Sequence, residues 1–365
     1  MRHLRSAFAI AIATAGLLAT SATTTPFSVA EARGRPSPPW PALWPALWPS
    51  PAPLWPAQAA GSTAAGELEV LQLRPNFFLL AGAGGHIAVQ VGEDGVVVVD
   101  AGSAARTSAV LAAISRITAR PIRYIINTSA DPDHVGGNEA LSKAGQTLFT
   151  AAGSIALPGN FLGGAASILS AEGVLRRMSA ASGQTPPYPA AAWPTETFDH
   201  ARKYMFLNDE GIEIFHQPEA HTDGDAVVFF RRSDVVVAGD VLDTTRFPVI
   251  DVARGGSVQG TIAALNKVVE LAIPSVPIVS REKGTIVVPG HGHLCDQFDV
   301  VEYRDMVSII RDRVQELVAA GRTLEQVKAA SPARGYTRRY GADTGSWTTN
   351  QFVEAIYRSL MKEKS

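Results

Sequence analysis

Beyond residue 66 the apolar positions come in short runs broken by turn residues. The runs at 68–73, 77–80, 87–91 and 96–99 are of strand length, and Glu93-Asp94-Gly95 punctuates the last two. They predict an antiparallel meander. The period then changes, with Val110, Leu111, Ile114 and Ile117 recurring at helical spacing across 105–117. A fully apolar strand follows at 122–126, then an irregular loop and a helix starting near Asn138. Further along, the patterns predict a helix at 167–178 and strands at 204–207, 212–215, 226–230 and 235–238. A helix at 261–271, a strand at 285–288 and a long helix at 300–320 follow. Helical patterns continue from 321 to 360 and read as an extension of the same unit. Strands then helices, twice over, predict one α/β (α+β) domain of residues 67–365, a four-layer αββα sandwich.

The first 66 residues differ in kind. Arg2 and Arg5 precede an apolar run over 7–18, too short for a comfortable membrane span, and Ala30-Glu31-Ala32 supplies a small-x-small cleavage site. Residues 1–32 are therefore expected to be a signal peptide, giving an exported, periplasmic or extracellular protein with no integral membrane segment after cleavage. Residues 33–66 hold nine of the 24 prolines and four of the six tryptophans. Proline fixes φ and removes backbone donors, so this stretch predicts an extended, low-complexity linker.

Composition narrows the function. Lys+Arg 32 against Asp+Glu 34 leaves a net charge of −2, without the basic surplus of a nucleic-acid binder. A lone cysteine, Cys295, excludes an intramolecular disulfide and any cysteine-cluster zinc site. Gly82, Gly84 and Gly85 follow a strand as a dinucleotide loop would, but the next residues alternate like another strand rather than opening a helix, so the cluster reads as a hairpin turn.

The chemistry gathers in four segments. They are Thr128-Ser129-Ala130-Asp131-Pro132-Asp133-His134-Val135-Gly136-Gly137-Asn138, then His221-Thr222-Asp223-Gly224-Asp225, Val237-Ala238-Gly239-Asp240 and Pro289-Gly290-His291-Gly292-His293. Each lies at the end of an apolar strand, where loops on a rigid sheet can converge. Imidazole and carboxylate together are the donors that zinc, iron or manganese require.

Asp133-His134, His221, Asp240 and His291, in this order and with the acidic turn Val99-Asp100-Ala101-Gly102 before them, resemble the metallo-β-lactamase superfamily of metallohydrolases over roughly residues 68–320. The resemblance implies the αββα sandwich with a metal site along one sheet edge. It implies a first metal on the positions of Ser129, Asp131 and His221, and a second on Asp133, His134 and His291, with Asp240 bridging. This chain departs from the family's His-x-His-x-Asp-His loop, because Ser129 and Asp131 replace the first two histidines. A neutral serine hydroxyl is a poor ligand. Asp131 can substitute, which makes the first site harder and more oxygen-rich.

The reading that follows is a metal-dependent hydrolase acting on a small molecule, with zinc expected above iron or manganese, as one or two ions. Its main metal is expected on Asp133, His134, Asp240 and His291. Asp131 and Asp133 are the candidate bases, and His221 is expected to bind metal or substrate. Asp100, His86 and His293 are placed around the site or against substrate, whereas His200 and His216 are read as structural. Asp225 is read as bracing the His221 loop. Residues 157–164 and 185–194, rich in glycine, proline and apolar side chains, are candidates to line the cleft. The competing class is a non-catalytic exported binding protein on a degenerate version of the same fold.

Overall fold

In the computed structural model, which describes residues 68–148, 164–180, 184–279 and 284–362, the first sheet grows out of the meander. Strands β1 (Glu69–Arg74), β2 (Phe77–Ala83), β3 (Gly85–Gly92) and β4 (Gly95–Val99) pair antiparallel in chain order. β5 (Ile122–Asn127), β6 (Ser167–Ala171) and β7 (Glu196–Phe198) extend the sheet in parallel. The second sheet contains β8 (Arg202–Leu207), β9 (Glu210–Gln217), β10 (Asp225–Phe230) and β11 (Val235–Asp243), all antiparallel. β12 (Ile286–His291) closes it parallel to β11, in the order β12-β11-β10-β9-β8. Helices α1 (Thr107–Ile117), α2 (Pro132–Val135), α3 (Asn138–Ala144) and α4 (Glu172–Met178) belong to the first half. α5 (Val258–Leu271), α6 (Gln297–Ala319), α7 (Leu324–Ala329), α8 (Thr337–Tyr340) and α9 (Thr349–Lys362) belong to the second. The signal and linker expected at 1–66, and residues 157–163, lie outside the described residues.

Strand β4 shows why the layers stack as they do. A strand alternates its side chains between two faces, and all four valines of β4 are fully buried. Val97 and Val99 turn toward the other sheet and join Phe77, Ile214 and Phe230 in the inter-sheet core. Val96 and Val98 turn outward against Val110, Ala113 and Ile114 of α1. β11 divides in the same way, with Val235 and Val237 inward and Val236 and Ala238 outward among Leu265 of α5, Met306 of α6 and Phe352 of α9. Uninterrupted valine runs are thus what a sheet covered on both sides requires. The result is the αββα sandwich expected from the chain pattern. Phe77 and Phe230 meet edge to face between the sheets, centroids 4.8 Å apart.

One predicted element differs. Residues 167–171 form strand β6, not the first part of a helix; only α4 at Glu172–Met178 is helical. Ile168 faces α1's layer and Leu169 the inter-sheet core, which only a strand allows for neighbouring residues. Parallel pairing with β5 and β7 overrides a local pattern too short to separate buried strand from buried helix. The loop after β5 is also less irregular than expected, since it contains the single turn α2.

Helix α6 is fixed at its start by a reciprocal cap. Asp296 accepts hydrogen bonds from the backbone N–H of Phe298 (2.8 Å) and Asp299 (3.1 Å), and Asp299 accepts from the N–H of Asp296 (3.0 Å). Asp296→Ala is expected to cost about 1 kcal/mol, read as an earlier urea midpoint with an unchanged m-value. An unmoved midpoint would show that the cap contributes nothing. The same helix carries buried Tyr303, whose hydroxyl donates to the Arg246 carbonyl at 2.9 Å and ties the helix to the loop after β11. That loop borders the residues described next.

Candidate metal centre

The ligand-type residues emerge from the ends of β4, β5 and β12, from within β11, and from the β9–β10 loop. Asp100, immediately after β4, has φ 64°, an uncommon conformation for a residue with a side chain. Hydrogen bonds hold it there. Its backbone N–H donates to Ile126 (2.8 Å), and its carboxylate accepts from the Thr128 N–H (2.8 Å) and hydroxyl (2.6 Å). So braced, Asp100 Oδ2 lies 2.8 Å from His134 Nδ1. His134 is fully buried, and its other nitrogen, Nε2, lies 3.0 Å from Asp240 Oδ1. Burial alone would depress this imidazole's pKa, but Asp240 and Asp100 on its two sides raise it well above the usual histidine value.

Asp240 is the hub. Besides His134, it has His291 Nε2 at 3.7 Å from Oδ1, and it accepts the Ser129 hydroxyl on Oδ2 at 3.0 Å. Burial works against its charge, yet His134, then His221 and His291, hold its carboxyl far below the ordinary carboxylate range. His291 Nε2 stands 3.2 Å from Asp133 Oδ2. That hydrogen bond is the main reason the His291 pKa is raised and the Asp133 pKa lowered. On the opposite side His221 donates from Nδ1 to the Val249 carbonyl (3.0 Å), which turns Nε2 toward Asp131 Oδ2 at 3.1 Å. Burial opposes protonation of His221 too, but the Asp131 hydrogen bond, with Asp225 and Asp240 nearby, pushes its pKa up to about 10.

These contacts sort into two groups, Asp133–His134–His291 and Asp131–His221–Asp240, in each of which the ligand atoms all lie within 4.8 Å of one another. All six predicted ligands therefore come together, and one divalent cation fits each group by donor type and spacing. Ser129 meets the site through hydrogen bonds. It orients Asp240 and accepts the Asp131 N–H at 3.2 Å. Asp131 reaches the site in spite of its short side chain, and Arg254 Nη1 lies 3.4 Å from its other oxygen.

The glycine cluster acquires a meaning here. Gly84 has φ +108°, and a Cβ there would stand 2.8 Å from Asp133 Cβ; one at Gly85 would stand 3.2 Å from His134 Nε2. The hairpin is bare so that the ligand loop can lie against it.

The other predicted residues are placed less centrally. His86 donates from Nδ1 to the Pro289 carbonyl at 2.9 Å, next to the His291 strand end, and burial lowers its pKa, with the nearby His291 and His134 adding to that. His293 is exposed, donates from Nδ1 to the Leu294 carbonyl at 2.9 Å, and is not among the residues lining the cleft. Asp225 braces its loop as expected, accepting the Thr222 N–H at 2.5 Å and hydroxyl at 3.2 Å, and burial pushes its pKa up to about 7. His216 donates to the Asp223 carbonyl at 2.9 Å, and His200 lies exposed beside Asp199. The Cys295 thiol is buried and its pKa raised, first by that burial, so no thiolate nucleophile is on offer. Of the two candidate cleft segments, residues 185–194 pack against the ligand loop. Tyr188 donates to the Ala130 carbonyl at 3.3 Å, and Tyr188 and Trp193 pack against Ala130 and Val135.

The two groups face a cleft of about 230 Å³ lined by Asp131, Asp133, His221, Asp240, Asp243, Arg246, Val249, His291, Ser346 and Trp347. A larger depression, about 550 Å³, lies among the turns carrying Arg74, Glu93, Asp209 and Arg232, but none of the predicted ligands lines it. Five of the cleft residues, Asp243, Arg246, Val249, Ser346 and Trp347, are not among the residues singled out from the sequence. Asp243 and Arg246, joined by a 2.5 Å ion pair, follow Asp240 within six positions, so proximity was a usable signal. Ser346 and Trp347 come from the α8–α9 connection, about a hundred residues away, with no motif to mark them.

Residues 82–276 match the family described as the metallo-beta-lactamase superfamily. Among curated proteins none matches. Among solved structures, the stereoselective inverting sec-alkylsulfatase Pisa1 from Pseudomonas sp. is similar at TM-score 0.59 and 13% sequence identity, over 80% of this chain and 50% of that one. A double mutant of a sec-alkylsulfatase PisA1 gives TM-score 0.57 at the same identity and coverage. A metallo-beta-lactamase from Pontibacter korlensis aligns at TM-score 0.48 and 17% identity, over 66% of this chain and 99% of that one. The chain spans half the length of the alkylsulfatases it matches, and at these identities the likeness is one of fold.

Proposed function

The chain belongs to the metallo-beta-lactamase superfamily, and on that footing we propose that it is an exported metal-dependent hydrolase of small-molecule esters, lactones, amides or related bonds, with an altered first metal site. The observation that carries this reading is the meeting of the two carboxylate–imidazole groups at Asp240. Asp133, His134, His291 and Asp240 would hold the main ion, and Asp131 and His221 would hold a second around the same aspartate. Zinc is the first choice for the histidine-richer group, with iron or manganese more competitive at the group containing Asp131. A bound divalent cation supplies Lewis acidity and a water whose pKa is lowered toward neutrality.

The residues of the chain do the rest. Asp133 is ionised at neutral pH, since its hydrogen bond with His291 lowers its pKa, and it stands at the cleft wall as a proton acceptor. As the water oxygen bonds to the acyl carbon, its proton passes to Asp133. The bond to the leaving group then breaks, and the proton moves on to the departing oxygen or nitrogen. Asp131 occupies the mirror position across Asp240 and is the alternative acceptor. Asp100 holds His134 in one ring orientation, and the Val249 carbonyl does the same for His221.

The test is turnover. Purified protein, loaded separately with zinc, iron and manganese, is offered aryl esters, lactones, β-lactams and secondary alkyl sulfates, the last because a sec-alkylsulfatase shares the fold. Hydrolysis abolished by chelation and restored by metal supports the reading. Metal retained without turnover of any of these would leave a binding protein on the same scaffold. The altered first site has its own expected outcome. Asp131→His returns an imidazole facing His221, and zinc affinity of that group should rise by about tenfold or more in a chelator competition. Unchanged affinity would mean that Asp131 is not a ligand position.

A further inference from the structure

The connection between α8 and α9 lies outside the matched family segment, yet it delivers Trp347 to the wall of the metal cleft. Trp347 and Val249 also line a second, shallower groove of about 410 Å³ on the other side, with Ile250, Val252 and Ala355 of α9 among its walls. The same indole and valine therefore border both spaces. Charges around the groove are already matched: Arg358 pairs with Glu354 at 2.6 Å and Arg254 with Asp251 at 3.4 Å. The Trp347 side chain is unusual in one further respect. Its indole N–H is enclosed and has no acceptor among the described residues. Buried indole N–H groups ordinarily find a partner.

Resting on the hydrolase reading above, we infer that the α9 groove is the substrate's tail subsite and that Trp347 is a specificity-determining residue. The occupant is the neutral, apolar part of the substrate, an alkyl or aryl chain of several carbons, whose hydrolysable head reaches Asp133 and His291 past the indole. An ionic tail is disfavoured, because the charges bordering the groove pair with one another and leave none over. The apolar walls gain from covering methylene groups.

The proposal is tested with two metal-binding probes of the same head, acetohydroxamate and octanohydroxamate, on the zinc-loaded protein. Octanohydroxamate should bind at least about tenfold more tightly to wild type, since each buried methylene strengthens binding severalfold. In Trp347→Ala that preference should fall below about threefold while acetohydroxamate affinity and zinc content stay put; Trp347→Phe should keep most of the preference. Equal binding of both probes by wild type, or a preference that survives Trp347→Ala, overturns the inference. Should wild type take up no zinc, the hydrolase reading fails on its own, and 1-octanol followed by saturation-transfer NMR judges the groove separately. Saturable octanol binding lost in Trp347→Ala then supports the tail subsite, and its absence or persistence refutes it.

Discussion

His134→Ala should lose its metal and about 3–5 kcal/mol of folding stability together. His134 is fully buried between Asp100 at 2.8 Å and Asp240 at 3.0 Å, so the metal-free protein keeps an imidazolium there, donating to both carboxylates. Alanine leaves two carboxylates facing a void. Asp100 retains its bonds from Thr128, whereas Asp240 keeps Ser129 and the more distant His291. In the metal-loaded protein the same substitution would remove one of the three proposed ligands of the Asp133–His134–His291 group. Affinity should fall by at least about hundredfold, the upper end of what losing a mere supporting partner costs. Urea unfolding in chelator reads the first effect, and elemental analysis after dialysis against limiting zinc reads the second. His134→Gln, which keeps much of the volume, separates ligand loss from collapse. Wild-type zinc content in both variants would remove His134 from the metal site.

Asp240→Asn is the second large effect, and here pH reveals the mechanism. The carboxyl pKa of Asp240 is held far below its ordinary value, so its contribution to stability is present above about pH 4 and is lost as pH falls further. The histidines behave oppositely. His134 and His221 have raised pKa values, so their contribution is complete below about pH 6.5 and fades as pH climbs through the folded value, about 10 for His221. Both contributions are fully in force only between about pH 4 and 6.5. In chelator, the stability deficit of Asp240→Asn should be largest in that window and narrow on either side. A deficit independent of pH would point to packing rather than charge. With metal, both groups should lose affinity by about hundredfold or more, since the amide would be a weaker donor than the carboxylate and would leave positive charge uncompensated. The supporting hydroxyl of Ser129 is then left to the amide oxygen.

Much of the fold was legible before any coordinates. The valine runs 96–99 and 235–238 are buried on both faces, and the spacing of Val110, Leu111, Ile114 and Ile117 is that of a helix lying on a sheet. Such patterns report burial directly, because water exclusion acts on each residue through its own side chain. The failure at 167–171 has the same root. Ile168 and Leu169 are apolar neighbours, and only the parallel partner strands β5 and β7 show that they point to opposite layers.

For the site, the residue types and order of Asp131, Asp133, His134, His221, Asp240 and His291 are enough to name a candidate set of metal ligands, since the donors a divalent cation accepts are few, and the fold gathers them into two groups. What they could not supply was geometry. That Asp131 reaches within 3.1 Å of His221, that the Ser129 hydroxyl donates to Asp240, and that Gly84 is bare to admit Asp133 are facts of loop approach. His293, two residues after His291, is exposed and outside the cleft lining, and Tyr188 and Trp193 pack against Ala130 and Val135.

The sequence by itself determined the alternation that makes two covered sheets, the strand ends that carry donors, and the donor chemistry. Which donors lie close enough together to hold one ion, how each imidazole is turned, and that Trp347, from the far end of the chain, walls the cleft come only with the folded chain. The reason is physical. Periodicity and donor type are properties of a residue and its near neighbours, whereas a metal group or a cleft is an agreement in space among loops up to about two hundred residues apart. Chain order does not encode those distances; the packing of valine, leucine and phenylalanine between the sheets does.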